Sequence, residues 1–271
     1  MQELVDTHCH IQSAGLKHGE KTTRELWAKA PDTTAAGLAR EAAEAGVTRL
    51  ICVGCDLADS QLAVEFVQNQ AGAWASIGIH PHEAQHYIGQ TAKLSEFAAL
   101  AEQPKVVAVG ECGLDYYYEH SPKEAQVEIL KFQLELAQKH DLPVIFHVRD
   151  AFDDFWPIFE QFTGVRGVLH SFTDSQENLN KAVEHGLFIG VNGIATFSKS
   201  DQQLAMYKAI PLQKLLLETD APFLTPTPYR GTINTPKHIG VVSSFLAELR
   251  GDSPEQLSAA TTQNARSLFG I

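Results

Sequence analysis

The sequence is short of positive charge, of cysteine and of long apolar runs, and each shortage narrows what it can be. Lys and Arg number 21 against 33 Asp and Glu, for a formal net charge of −12 at pH 7. A chain this acidic has no general affinity for polyanions, so a nucleic acid partner would need a local patch or a bound metal. No apolar stretch approaches the ~18–20 residues of a membrane span. Met1-Gln2-Glu3 runs straight into the first apolar segment, with neither the basic start nor the long hydrophobic stretch of a signal peptide. The four cysteines, Cys9, Cys52, Cys55 and Cys112, sit in or beside strand-like runs. That placement argues for reduced thiols and a cytoplasmic location over a disulfide framework. Cys52-Val53-Gly54-Cys55 has the C-x-x-C spacing. With no second pair it reads as buried packing rather than as a zinc or redox motif. Linkers, repeats and low-complexity stretches are absent too. At 271 residues, 44% hydrophobic and 20% charged, the chain suits one packed domain over 1–271.

What is present is an alternation of short β-branched runs and amphipathic helical patterns. Strands are expected over 4–11, 49–54, 74–79, 106–113, 143–148, 167–172, 188–193 and 215–220. Helices are expected over 33–45, 59–69, 93–102, 122–140, 151–162, 176–184, 200–209, 237–249 and 254–268. Ser121-Pro122 and Ser253-Pro254 read as helix starts, and Gly46 and Gly186 as left-handed helix ends. Eight strands separated by helices predict an α/β fold, a (β/α)8 TIM barrel, with a doubly wound sheet as the rival. Residues 12–32 break the regularity and are expected to form an irregular loop insertion or short helix over one end of the barrel.

"VDTHCHI", residues 5–11, places two histidines two positions apart in a strand, so His8 and His10 share a face, with Asp6 behind them and Thr7 and Cys9 opposite. Glu111, His147, His170 and Asp220 lie near the carboxyl ends of the fourth, fifth, sixth and eighth predicted strands. In a barrel that end is where active sites are built. Singly, each is an ordinary buried or loop residue. Together, four imidazoles and two carboxylates suit zinc, manganese, iron or nickel, whereas magnesium prefers more oxygen. Six ligands exceed one tetrahedral site, so two metals sharing a carboxylate is the economical expectation. Two ions ~3.5–4 Å apart can hold a hydroxide, polarise an oxygen and stabilise a leaving group.

"DTHCHI", "GIHPHEA", "GECGLDYYY", "LPVIFHVRDA", "LHSFT" and "LLLETDAPFL" resemble, in order and placement, the motifs of TatD-related metal-dependent hydrolases, which resemble the wider amidohydrolase group in fold. The resemblance runs from Val5 to the last helix. It implies that His8, His10, Glu111 and Asp220 bind a first metal, with Glu111 bridging, and that His147 and His170 join Glu111 on a second. It implies further that Asp220 orients the attacking hydroxide and takes its proton, and that His80 contacts a substrate oxygen or phosphate. The implied activity is cleavage of phosphodiester bonds with two divalent ions (Mg2+, Mn2+ or Zn2+), as a 3′-5′ exodeoxyribonuclease on single-stranded DNA ends. The expected assembly is a monomer or weak homo-oligomer with no membrane partner.

Several neighbours are candidates for holding substrate. Arg149 can fork onto phosphate, or pair with Asp150 or Asp153 at the rim. One ring of Tyr116-Tyr117-Tyr118, with Tyr117 the candidate, can stack on a base, while the others pack under the rim. Asp115 can orient a ligand histidine, and Glu218 reads as a buried, partnered carboxylate. The family often carries Arg-Gly-Lys-Arg-Asn-x-Pro after the eighth strand. Here Arg230, Asn234 and Pro236 match, but Thr232 and Ile233 replace two cations. Asp174 adds a negative group where the family usually has glycine, and 12–32 is longer than the family's usual loop. These departures keep a second reading open, a hydrolase of an amide, lactone or small phosphoester. At Glu111 many amidohydrolases use a carboxylated lysine, which weighs toward the nuclease. A non-catalytic barrel would be expected to have lost ligands, and all six are present.

Overall fold

The computed structural model describes residues 3–271. All eight β-branched runs form strands: β1 Leu4–Cys9, β2 Val47–Val53, β3 Ala73–Ile77, β4 Val106–Asp115, β5 Val144–Arg149, β6 Gly167–Leu169, β7 Phe188–Val191 and β8 Leu215–Leu217. They pair in parallel and in sequence order. A parallel bridge between Cys9 and Ala221 brings the first strand to the segment that follows the last. Thr7 Oγ1 donates to Leu217 O at 2.9 Å, Asp220 N to His8 O at 2.8 Å, and His10 N to Ala221 O at 2.7 Å. This is a (β/α)8 barrel, and the doubly wound alternative is excluded. Its seam is closed by backbone bonds to the histidine pair itself.

The helices are α1 Lys21–Trp27, α2 Ala35–Glu44, α3 Leu57–Gln68, α4 Thr91–Ala99, α5 Lys123–His140, α6 Phe152–Phe159, α7 Gln176–Glu184, α8 Asp201–Ala209, α9 Ile239–Arg250 and α10 Pro254–Phe269. Most of their apolar faces pack on the outside of the sheet in one continuous core. A smaller cluster joins Val5, Ile51, Ala108, Ile145, Val168 and Leu216, one from each of six strands, to Leu268 and Phe269 of α10. It fills the barrel interior, so the space above it is a floored site and not a channel. No helix among the described residues is long and apolar enough to cross a membrane.

Where boundaries differ from the sequence expectation, local physics explains it. β6 and β8 end three residues early because Ser171 (φ 50°) and Asp220 (φ 58°) adopt left-handed backbone, which no ladder accommodates. Ser121 does not cap α5, whose N-cap is Pro122 without a side-chain bond. The Ser121 hydroxyl instead donates to His82 O at 2.7 Å and accepts from Gln85 N at 3.1 Å. Gly46 and Gly186 do take positive φ after α2 and α7, and Ser253 forms a full capping box with Gln256. Within 12–32, α1 is capped by the Glu20 carboxylate, which accepts from Thr22 N and Thr23 N at 2.8 and 2.7 Å. Its last residue, Trp27, is buried and donates Nε1–H to His10 O at 2.9 Å. The segment is therefore fastened to the site.

Candidate metal centre

Glu111 lies within β4, where the chain departs from regular pairing between Val109 and Cys112. Gly110 before it has φ 127°, and a Cβ there would sit 2.3 Å from Ile145 O, so only glycine fits. This turns the Glu111 carboxylate into the middle of the cluster. Its Oε2 lies 3.3 Å from His8 Nε2 and 3.9 Å from His10 Nε2. Its Oε1 lies 2.8 Å from His147 Nδ1, 3.6 Å from His80 Nε2 and 3.8 Å from His170 Nε2. Asp220 Oδ1 lies 3.2 Å from His10 Nε2, 3.7 Å from His8 Nε2 and 3.9 Å from His170 Nε2. The two Nε2 atoms of His8 and His10 are 3.1 Å apart, and the His170 ring stacks on His8 at 3.6 Å. All six side chains expected to meet do meet, with Glu111 between the two groups.

Outer contacts fix most of these rings. His10 Nδ1 lies 2.8 Å from Val53 O, His147 Nε2 3.0 Å from Asp115 Oδ2, and His170 Nδ1 3.0 Å from Glu218 Oε1. Glu218 is buried and also accepts from Ser171 N at 2.7 Å. His8 Nδ1 and His170 Nδ1 are buried without a hydrogen bond, the approach of Glu218 to His170 being an ion-pair contact. Burial pulls the His147 and His170 imidazoles down, but Asp115 and Glu111 around the first, and Glu218 and Glu111 around the second, raise each to about 9. Burial pushes Glu111 up, yet the facing imidazoles of His170, His80 and His8 hold it well below the usual carboxylate range. Asp220 is likewise held low against burial by His10 and His170. Burial pushes His80 down to about 4. Such concentrated opposing shifts on a barrel's carboxyl rim mark a functional site.

The cluster floors a cavity of about 430 Å³. His80 reaches it as the N-cap of a 3-10 turn, Pro81–His86, with Nδ1 accepting from His82 N at 3.2 Å. Arg149 also lines the cavity, but its guanidinium stands over the rings of Tyr117 and Tyr118 at 4.3 and 5.1 Å and makes no ion pair with Asp150 or Asp153. Tyr118, not Tyr117, is the tyrosine on the cavity wall, and of the other two only Tyr116 packs against the core, Tyr117 being exposed. Arg230 lies away from it, over the Phe197 ring at 3.9 Å and donating to Thr225 O at 3.0 Å. Asp174 is not on the mouth either. It accepts from Ser175 N and the Asn178 amide beside the start of α7. Sequence reasoning missed His82, His120, Glu20 and Thr22, which all line the cavity. The proline between His80 and His82 was the available signal, since Pro at the first position starts a tight turn. Cys52 is buried, but Cys55 is partly exposed on the cavity wall, 3.7 Å from His10 Nδ1, and all four thiols are free. The C-x-x-C expectation of buried packing therefore holds for its first cysteine and not for its second.

Barrel, rim and donor set together define a metal-dependent hydrolase. The family model described as "TatD related DNase" matches residues 5–270, and the chain belongs to that family. It is 36% identical over 235 residues to the protein named 3'-5' ssDNA/RNA exonuclease TatD from Escherichia coli (strain K12), covering 84% of this chain and 90% of that one. It is 34% identical over 271 residues to the uncharacterized metal-dependent hydrolase YabD of Bacillus subtilis (strain 168), covering 99% of each. Among solved structures, the TatD homolog YJJV of Escherichia coli K12 superposes with a TM-score of 0.84 at 28% identity, over 99% of this chain and 98% of that one.

Proposed function

We propose that the chain is a metal-dependent nuclease that removes nucleotides from the 3′ ends of single-stranded nucleic acid. The observation that carries this reading is the meeting of four imidazoles and two carboxylates at the floor of a cavity sized for one small ligand. A floored cavity admits a chain terminus and not the middle of a strand, and the names of the relatives supply the polarity.

The donor set fits two divalent ions. Glu111 offers one oxygen to each side, the imidazoles of His8, His10 and His170 present Nε2, and His147 presents Nδ1. His8 and His10 with Glu111, and His8 and His170 with Asp220, are close enough to share an ion. Mg2+, Mn2+ and Zn2+ are the candidates, the imidazoles favouring the latter two. When bound, the ions supply Lewis acidity and a nucleophilic water at neutral pH. Asp220, ionised and beside His10, is placed to accept the proton that water gives up. His80 is neutral, and because its Nδ1 accepts from His82 N, its Nε2 carries the proton. That N–H faces Glu111 Oε1 at 3.6 Å, and a phosphate oxygen entering above Glu111 would compete for it. Tyr118 presents a face for a terminal base, and Arg149 a cation beside it. With ions held by this donor set and Arg149 at the cavity wall, a phosphate would meet local positive charge, so a net charge of −12 is no obstacle. Free thiols fit a cytoplasmic location.

Glu20 and Glu83 line the same cavity and favour a second reading, a small phosphoester in place of a polymer. Protein stripped with chelator and reloaded with Mg2+ or Mn2+ separates the two. The proposal expects 5′-labelled single-stranded DNA to shorten progressively, and His147→Ala or Glu111→Ala to abolish shortening. Intact label with every metal, beside hydrolysis of a small phosphodiester, would transfer the assignment to the second reading.

A further inference from the structure

Asp115 is the last residue of β4, is fully buried, and has every acceptor direction of its carboxylate in use. Oδ2 lies 3.0 Å from His147 Nε2 and 3.0 Å from His82 Nε2. Oδ1 accepts from Tyr117 N at 3.0 Å and Tyr118 N at 2.9 Å. Its backbone is clamped by Gln126, itself buried. Gln126 Oε1 accepts from Asp115 N at 2.7 Å, and Gln126 Nε2 donates to Asp115 O at 3.1 Å and to Ser121 O at 2.9 Å. Ser121 in turn holds the His82 carbonyl at 2.7 Å.

We propose that Asp115 is a positioning residue that fixes His147 with one oxygen and the Tyr117–Tyr118 turn with the other, so that metal retention and capture of the substrate end depend on one anchor. The inference rests on the nuclease reading given above. A carboxylate only accepts, so both imidazoles must present Nε2–H to it. That requirement turns the Nδ1 side of His147 toward Glu111, 2.8 Å away. The same carboxylate sets where Tyr118 stands, parallel to His120 at 5.7 Å and edge-on to His82 at 5.7 Å. The cavity wall from His147 through His82 to Tyr118 is thus one hydrogen-bonded block.

Asparagine exposes the dependence, because an amide has one accepting oxygen and one donating NH2. If the NH2 meets the imidazoles, His147 must give up Nε2–H and carry its proton on Nδ1, where a metal needs a lone pair. If the NH2 meets the tyrosine amides, the turn loses both bonds.

The test compares wild type, Asp115→Asn and Tyr118→Ala by titration with Mn2+ alone and by kcat and KM on a single-stranded oligonucleotide. Asp115→Asn is expected to weaken Mn2+ binding about 10–100-fold if its NH2 meets the imidazoles, or to raise KM if its NH2 meets the tyrosine amides. Tyr118→Ala is expected to raise KM with Mn2+ affinity unchanged. If Asp115→Asn stays within twofold of wild type in both quantities, the inference is overturned. Should that variant fail to fold, the zinc-loaded wild type labelled with 15N-histidine decides. A slowly exchanging Nε2–H on His147 supports the anchor, and an Nδ1–H tautomer overturns it. An inactive wild type would end the nuclease reading and the inference together. An active wild type beside an unaffected Asp115→Asn would end the inference alone.

Discussion

His8 and His10 point their Nε2 atoms at each other across 3.1 Å, and neither residue is more than 3% exposed. Two buried imidazoles at that distance cannot both carry protons there without strong repulsion. A cation between them and Glu111 removes the conflict, which is the physical reason for reading the pair as chelating.

Proton competition follows from that arrangement. His147 and His170 are raised from 6.5 to about 9 in the metal-free protein, and both must be neutral to ligate. Metal affinity should therefore rise between pH 6.5 and 9, by about tenfold per pH unit for each proton displaced. The metal-free fold should move oppositely. Raised imidazole pKa values contribute stability that is complete below about 6.5 and lost as pH climbs through about 9. Competitive metal titration and urea unfolding across that window check both signs. Affinity that is flat with pH would contradict the assignment.

Glu111→Gln should lower kcat by at least about 10²-fold. It should also destabilise the metal-free protein by about 1–3 kcal/mol at pH 7, because the part-buried imidazolium of His147 loses its contact with Glu111 at 2.8 Å and keeps only that with Asp115 at 3.0 Å. Steady-state kinetics and denaturant unfolding measure the two effects separately.

Tyr118→Ala should raise KM on single-stranded oligonucleotides by about 5- to 150-fold, the range expected from losing one stacked base. Tyr117→Ala should do less, since that ring is exposed and lies off the cavity wall, against Arg149. Equal effects of the two would mean the base does not lie where the cavity places it.

Gly190→Ala should destabilise the fold by about 1–3 kcal/mol. The new Cβ would lie 2.3 Å from Glu218 Oε2. Glu218 cannot swing aside without losing the bond from Ser171 N and its ion-pair approach to His170. Urea unfolding with and without metal tests this, and an unchanged midpoint would show that Glu218 has room the structure denies it.

The barrel was legible because period-2 strands and amphipathic helices alternate along the whole chain, and the six convergent side chains because each falls near a strand's carboxyl end. Side-chain competition was not legible. Ser121 stands where a helix cap would, yet its hydroxyl is claimed by His82 O and Gln85 N, partners 39 and 36 residues away in sequence. Arg230 matches a family position, but a nearby aromatic face, Phe197, draws the guanidinium from the cavity. His82 and His120 enter the wall through short turns, which carry no periodic signal. The β1 register shift between Asp6 and Cys9 likewise depends on the partner strand, which a one-strand face count ignores.

Metal stoichiometry tests the central claim most directly. Elemental analysis of chelated protein re-equilibrated with Mn2+ or Zn2+ should find two ions per chain in the wild type and fewer in His147→Ala. A wild type that retains no ion under those conditions would contradict the account, whatever the barrel and the family share.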